Sequence, residues 1–124
     1  MPGLGPLASI IVACTALTGG AHAQDIAAGA KVFQTYCSIC HTVQPDRNLT
    51  GPSLFGVVNR PSGHIPDFHY SDANRKSGLT WDVATLDRYL TAPRQVVPGT
   101  FMTFPGVKDS KQRADLIAYL ATLH

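Results

Sequence analysis

The run Cys37-Ser38-Ile39-Cys40-His41 constrains this chain more than any other stretch. A C-x-x-C pair suits a redox dithiol, or half of a zinc site. Neither accounts for the histidine that follows directly. A zinc site would need a second cysteine pair. A dithiol would follow a strand, whereas Ala27 to Tyr36 reads as helix. C-x-x-C-H is the spacing of covalent haem attachment. The two thiols add across the two vinyl groups of one haem edge, and two intervening residues span that edge. The next residue then lies beneath the iron, where imidazole supplies a proximal ligand. The first expectation is one haem c, held by Cys37 and Cys40, with its iron ligated by His41.

Length and charge set the frame around that site. A chain of 124 residues makes one domain, with a core thin enough that a large buried cofactor would help fill it. All acidic residues are Asp, and the formal charge is +2. So mild a balance excludes the basic footprint of a nucleic-acid binder. Met1 to Ala23 carries no Lys, Arg, Asp or Glu; it is apolar from Leu7 to Ala13 and ends in Ala21-His22-Ala23. A short apolar run closed by small-x-small is the pattern of a secretory signal, although no Lys or Arg stands in its n-region. Gly19-Gly20 breaks the run before it reaches spanning length. The expected organisation is a signal peptide over 1–23 and a mature domain over 24–124, exported to the periplasm and without membrane insertion after cleavage. Retention of the segment as an anchor, or lipidation of Cys14, are the alternatives.

The pattern of the remainder is helical. A helix over 25–36 places Ile26, Gly29, Ala30 and Phe33 on one face. A short turn fits Ser71 to Ser77, closed by Gly78. A third helix fits Thr80 to Thr91, with Thr80 as N-cap, Pro93 as stop, and Val83, Leu86, Tyr89 and Leu90 facing inward. Asp109-Ser110 offers a cap for a last helix striped by Leu116, Ile117, Leu120 and Leu123. Between these lie Gly- and Pro-rich loops, chiefly 42–69 and 92–108. Loops that long in so small a domain imply that they wrap something, and a haem is what they would wrap. No strand alternation is visible.

A sixth iron ligand is the next question. Met102 is the only methionine left in the mature chain, in the loop Val97-Pro98-Gly99-Thr100-Phe101-Met102. A thioether is a soft ligand, and His/Met ligation raises the potential of haem iron. A lone Met otherwise fills core gaps. With a haem already implied, ligation is the stronger reading. His64, His69 and His124 are the rival ligands, each with a plain alternative as surface histidine.

These residues together carry a resemblance. From about Ala28 to Leu120 the chain resembles a class I cytochrome c, of the branch holding mitochondrial cytochrome c and bacterial cytochrome c2. The motifs are Cys37 to Val43, Gly51-Pro52-Ser53-Leu54, Tyr70-Ser71-Asp72-Ala73-Asn74, Trp81, Tyr89-Leu90, Pro98 to Met102, and Arg113 to Leu120. The resemblance implies an all-α class I cytochrome c fold, with about four to five helices and long loops wrapped around one covalent haem. It implies that the first and last helices cross, Gly29 and Phe33 meeting Leu116 and Tyr119. It makes Met102 the distal ligand and nominates the Pro52 carbonyl as acceptor for the second ring N–H of His41. It matches Arg60, Tyr70 and Trp81 to haem propionate donors, with Ser71 and Thr100 as further candidates. Asn74, Tyr89 and Thr100 match the polar group near the methionine sulfur. The mitochondrial branch rings its exposed haem edge with lysines; here Tyr36, Leu49, Gln95 and Phe101 stand instead, and Arg94 keeps one positive charge.

The expected function is that of a monomeric single-electron shuttle in a respiratory or photosynthetic chain, not an enzyme. It would run between a reductase donor and an oxidase or reaction-centre acceptor. A haem peroxidase or gas sensor is the alternative, and it requires a labile distal ligand. A subunit of a larger dehydrogenase is a lesser one.

Overall fold

A computed structural model describes residues 1–3, 5, 13 and 23–124. The expected signal segment, with Cys14, falls almost wholly outside the described residues. Among the described residues five helices follow in order: α1 (Ile26–Tyr36), α2 (Asp72–Lys76), α3 (Val83–Thr91), α4 (Pro93–Val96) and α5 (Ser110–Leu120). Among the described residues there is no strand, only an isolated antiparallel bridge between Pro61 and Thr80. No helix of the described residues is long and apolar enough to cross a membrane. The all-α architecture agrees with the sequence expectation, and the long loops fill the space between the helices.

Side chains set the helix starts. Asp25 accepts from the Ala28 N–H at 3.0 Å, Ser71 from Asn74 at 3.0 Å and Asp109 from Gln112 at 2.8 Å. Each satisfies an N–H that has no partner in the first turn. For α3 the expected cap was Thr80, and the structure moves it to Asp82, which accepts from the Thr85 N–H at 2.8 Å. The reason lies outside the helix. Trp81 exchanges backbone bonds with the 59–60 segment, its N–H donating to Arg60 and its carbonyl accepting from Asn59, both at 2.9 Å. That pairing occupies both backbone groups of Trp81, so the helix begins after it. Loop 92–108 also differs from expectation, because its first residues form α4, with Pro93 at the helix start where its missing N–H costs nothing.

The core is built where α1 crosses α5, with α3 against α5. Phe33, Trp81, Leu86, Leu90, Val97, Leu116 and Leu120 are all buried in it. Gly29 makes the crossing possible: a Cβ there would overlap the Asp115 carbonyl and lie 2.9 Å from the Tyr119 Cβ. Beside it the Phe33 and Tyr119 rings pack at 5.9 Å between centroids. Two residues expected inside are exposed, Ile26 at the head of α1 and Val83 at the head of α3. Both stand in the first turns of their helices; Val32 and Thr85 take the buried places instead. Asp115 is a buried carboxylate, satisfied by the Asp25 N–H at 2.8 Å and the Lys111 ammonium at 2.7 Å.

Candidate functional site

Where α1 ends, the chain turns through the pentad. Cys37 caps α1, its N–H donating to the Phe33 carbonyl, and the His41 N–H returns to the Cys37 carbonyl at 2.9 Å. This single turn sets Cys37, Cys40 and His41 on the wall of a cavity of about 430 Å³. The His41 ring is fixed from behind. Its Nδ1–H donates to the Pro52 carbonyl at 2.7 Å, which leaves Nε2 with the lone pair. Gly51 lies under the same ring, and a Cβ there would overlap its Cε1. Burial lowers the pKa of His41; the Pro52 bond opposes the shift, and the Arg60 charge adds to it. The imidazole is thus held neutral, the form that ligates a metal. Burial, followed by the neighbouring Cys40, pushes the Cys37 thiol up to about 11.

Met102 lines the same cavity from the loop after α4. Its N–H donates to Thr100 Oγ1 at 3.2 Å, and its sulfur receives the Tyr89 O–H at 3.5 Å. Tyr89 Oη also lies 3.4 Å from Thr100 Oγ1. Burial raises the Tyr89 pKa, with the Thr100 contact opposing, so the phenol keeps its proton and donates.

Arg60, Tyr70, Ser71, Asn74 and Trp81 lie on the same wall. The Arg60 guanidinium donates to the carbonyls of Phe55 at 3.0 Å and Ser53 at 3.1 Å. No carboxylate of the described residues pairs with it. Desolvation lowers its pKa. Tyr70 Oη accepts from the Ile65 N–H at 3.2 Å, which leaves its own O–H to donate. Asn74 Oδ1 is buried with no hydrogen-bond partner. Every site residue expected from sequence therefore meets at one cavity. His64, His69 and His124 do not line it.

Of the apolar wall, sequence reasoning placed Leu86, Leu90, Leu116 and Leu120 inside but missed Val57 and Phe68. Phe68 packs edge-on to Tyr70 at 4.8 Å, and Leu54 and Val57 join it from the first long loop. Apolar residues inside a polar loop were the available signal. Ile39, inside the pentad itself, is 83% exposed at the mouth.

The donor set fits a covalent haem. Two thiols stand one turn apart, a neutral imidazole presents Nε2, and a thioether faces the same space. A half-buried cation without a carboxylate partner is suited to a propionate, and much of the remaining wall is apolar. Among the described residues no cluster of His, Cys, Asp and Glu could hold a free metal ion.

Comparison with known proteins gives the same result. Residues 26–124 match the family model described as cytochrome c. The cytochrome c2 of Rhodopila globiformis is 49% identical over 105 residues, covering 85% of this chain and 99% of that protein. The cytochrome c2 of Rhodoblastus acidophilus is 52% identical over 100 residues, covering 80% and 92%. Among solved structures, cytochrome cH from Methylobacterium extorquens superposes with a TM-score of 0.74 at 47% identity, covering 79% of this chain and 98% of that one.

Proposed function

The chain belongs to the cytochrome c family, and on that premise we propose that it is an exported monohaem carrier passing single electrons between redox proteins. Proteins of this family carry one covalently attached haem c with iron. When bound, that group supplies an iron that cycles between ferric and ferrous states.

The chain's own residues determine how the group is held and tuned. Cys37 and Cys40 bond the haem edge, and His41 Nε2 is the proximal ligand, kept in its tautomer by Pro52. Met102 is the distal ligand. The Tyr89 O–H on its sulfur withdraws electron density, and Asn74 and Thr100 extend that polar cluster. Arg60, Tyr70, Trp81 and Ser71 hold the propionates, Ser71 donating its O–H while its oxygen caps α2. The observation that carries this reading is the placement of the Met102 sulfur and the His41 ring on one cavity, with the sulfur secured by Tyr89 at 3.5 Å. A site closed on both sides moves electrons rather than substrate.

The optical spectrum of the ferric holoprotein tests the reading. A weak far-red iron–sulfur band is expected, and Met102→Ala should abolish it and admit azide. A wild type that lacks the band and binds carbon monoxide quickly would favour a peroxidase or sensor.

Partners dock at the cavity mouth. Tyr36, Ile39 and Phe101 are exposed there, Ile39 at 83% and Phe101 at 65%. No lysine lines the mouth, so the partner surface is an uncharged, apolar patch around its own redox centre. A carrier that must dock and leave quickly needs only a small interface, about 1,200 Å² or less. Export rests on the 1–23 segment, with the mature chain starting at Gln24 in the periplasm. Mass analysis of the mature N-terminus checks this, and a lipidated Cys14 would refute it.

A further inference from the structure

Arg113 is a nearly buried cation away from the cavity wall; its side chain is 11% exposed. It leaves α5 and meets α3, where its Nε–H donates to the Asp87 carboxylate at 2.6 Å. Its Nη1 donates to the carbonyls of Val107 at 3.0 Å and Lys108 at 3.4 Å. The same stretch is stitched to the end of α3 twice more. The Val107 N–H donates to the Leu90 carbonyl at 2.7 Å, and the Lys108 ammonium reaches the Thr91 carbonyl at 2.5 Å. One guanidinium thus joins α5, α3 and the chain five residues after Met102. The helix it grips, α3, also carries Tyr89, whose O–H meets the Met102 sulfur.

We propose that Arg113 is a positioning residue for Met102, clamping the downstream end of its loop and so setting how slowly the sulfur leaves the iron. The inference rests on Met102 being the distal ligand. Upstream, the loop is anchored by the Thr100 N–H on the Val97 carbonyl at 3.0 Å, and Val97 is buried. Downstream, Val107 is buried and held by Arg113 and Leu90. Between two fixed ends, with Pro98 and Pro105 inside, the loop has few conformers that carry the sulfur away. Freeing one end multiplies those conformers. Lysine replaces this poorly, because the fork that reaches a carboxylate and a carbonyl together belongs to arginine.

The test uses ferric holoprotein at constant neutral pH, at a temperature where each variant keeps its far-UV circular dichroism. Imidazole is added by stopped flow, and the limiting rate of loss of the far-red band reports departure of the sulfur. Arg113→Met should raise that rate about tenfold, the scale of one lost hydrogen bond to a charged group. Asp87→Asn should raise it less, and Arg113→Lys should fall between wild type and Arg113→Met. Limiting rates within about twofold of wild type in both Arg113→Met and Asp87→Asn would overturn the proposal, whatever the loss in thermal stability. If Arg113→Met fails to retain haem, Asp87→Asn and Arg113→Lys decide on the same criterion. A far-red band that survives Met102→Ala would overturn the ligand assignment, and the clamp with it; this result is distinct from unchanged rates.

Discussion

Gly51 shows how one residue governs the site. Its missing Cβ is the space in which the His41 ring lies, and the bond from His41 Nδ1 to Pro52 then sets the ring's angle. Gly51→Ala should force the imidazole aside. Overpacking of this kind costs about 1–3 kcal/mol. The expected result is a lower urea midpoint together with a changed ferric low-spin spectrum; an unchanged spectrum would show that the ring has room. Asp115 offers a different reading at the same scale. Its pKa is lowered, first by the Asp25 N–H and then by Lys111. A depressed carboxylate contributes stability above its ordinary value of about 4 and loses it as pH falls through the lower folded value. Asp115→Asn should therefore be less stable at pH 7 yet lose less between pH 5 and 2. Thermal midpoints across that range decide, and parallel acid limbs for the two proteins would contradict the assignment.

At the level of elements, the α1–α5 crossing is the joint on which the fold turns. In an isolated helix, Gly→Ala gains about 1 kcal/mol of propensity. Gly29→Ala should nevertheless destabilise, because its new methyl would overlap the Asp115 carbonyl. Backbone cannot move aside as a side-chain tip can, so overpacking of about 1–3 kcal/mol outweighs the gain. Chemical denaturation of the holoprotein measures the balance, and a stabilised variant would mean that the helices can slide apart. The resemblance implied this crossing, but not the part of Asp115, which joins the N-cap residue of α1 to α5 across 90 positions. No local pattern marks that bond.

For the whole molecule, the cavity is too large for the chain to support alone. Leu86, Leu90, Leu116 and Leu120 all face it, and without a group to fill the space that apolar surface has no packing partner. The chain without haem should lack a cooperative thermal transition, and Cys37→Ser with Cys40→Ser should show this in calorimetry. A sharp transition in that variant would mean that the loops collapse to fill the void. Docking also belongs to this scale. With an apolar mouth and no lysine ring, the rate of electron transfer to a redox partner should fall only shallowly as salt rises, and Phe101→Asp should slow it strongly. A steep salt dependence with Phe101→Ala silent would assign docking to charge.

The residue order alone determined what is local. The pentad names its cofactor because attachment chemistry spans five consecutive residues, and Asp109 marks a helix start because a cap reaches only three residues ahead. The resemblance added the site residues of the long loops, which spacing by itself does not assign. Tertiary structure decided the rest. Trp81 pairs with the 59–60 segment and so delays α3, a contact between stretches more than 20 residues apart that overrides the local preference for a start at Thr80. Ile26 and Val83 have the right periodicity but stand exposed in first turns, since periodicity fixes a face and not how far along the helix its partner extends. In sequence Arg113 opens the motif of the last helix, with no partner marked for it. Only the folded chain brings Asp87 and the Val107 carbonyl within reach of its single fork.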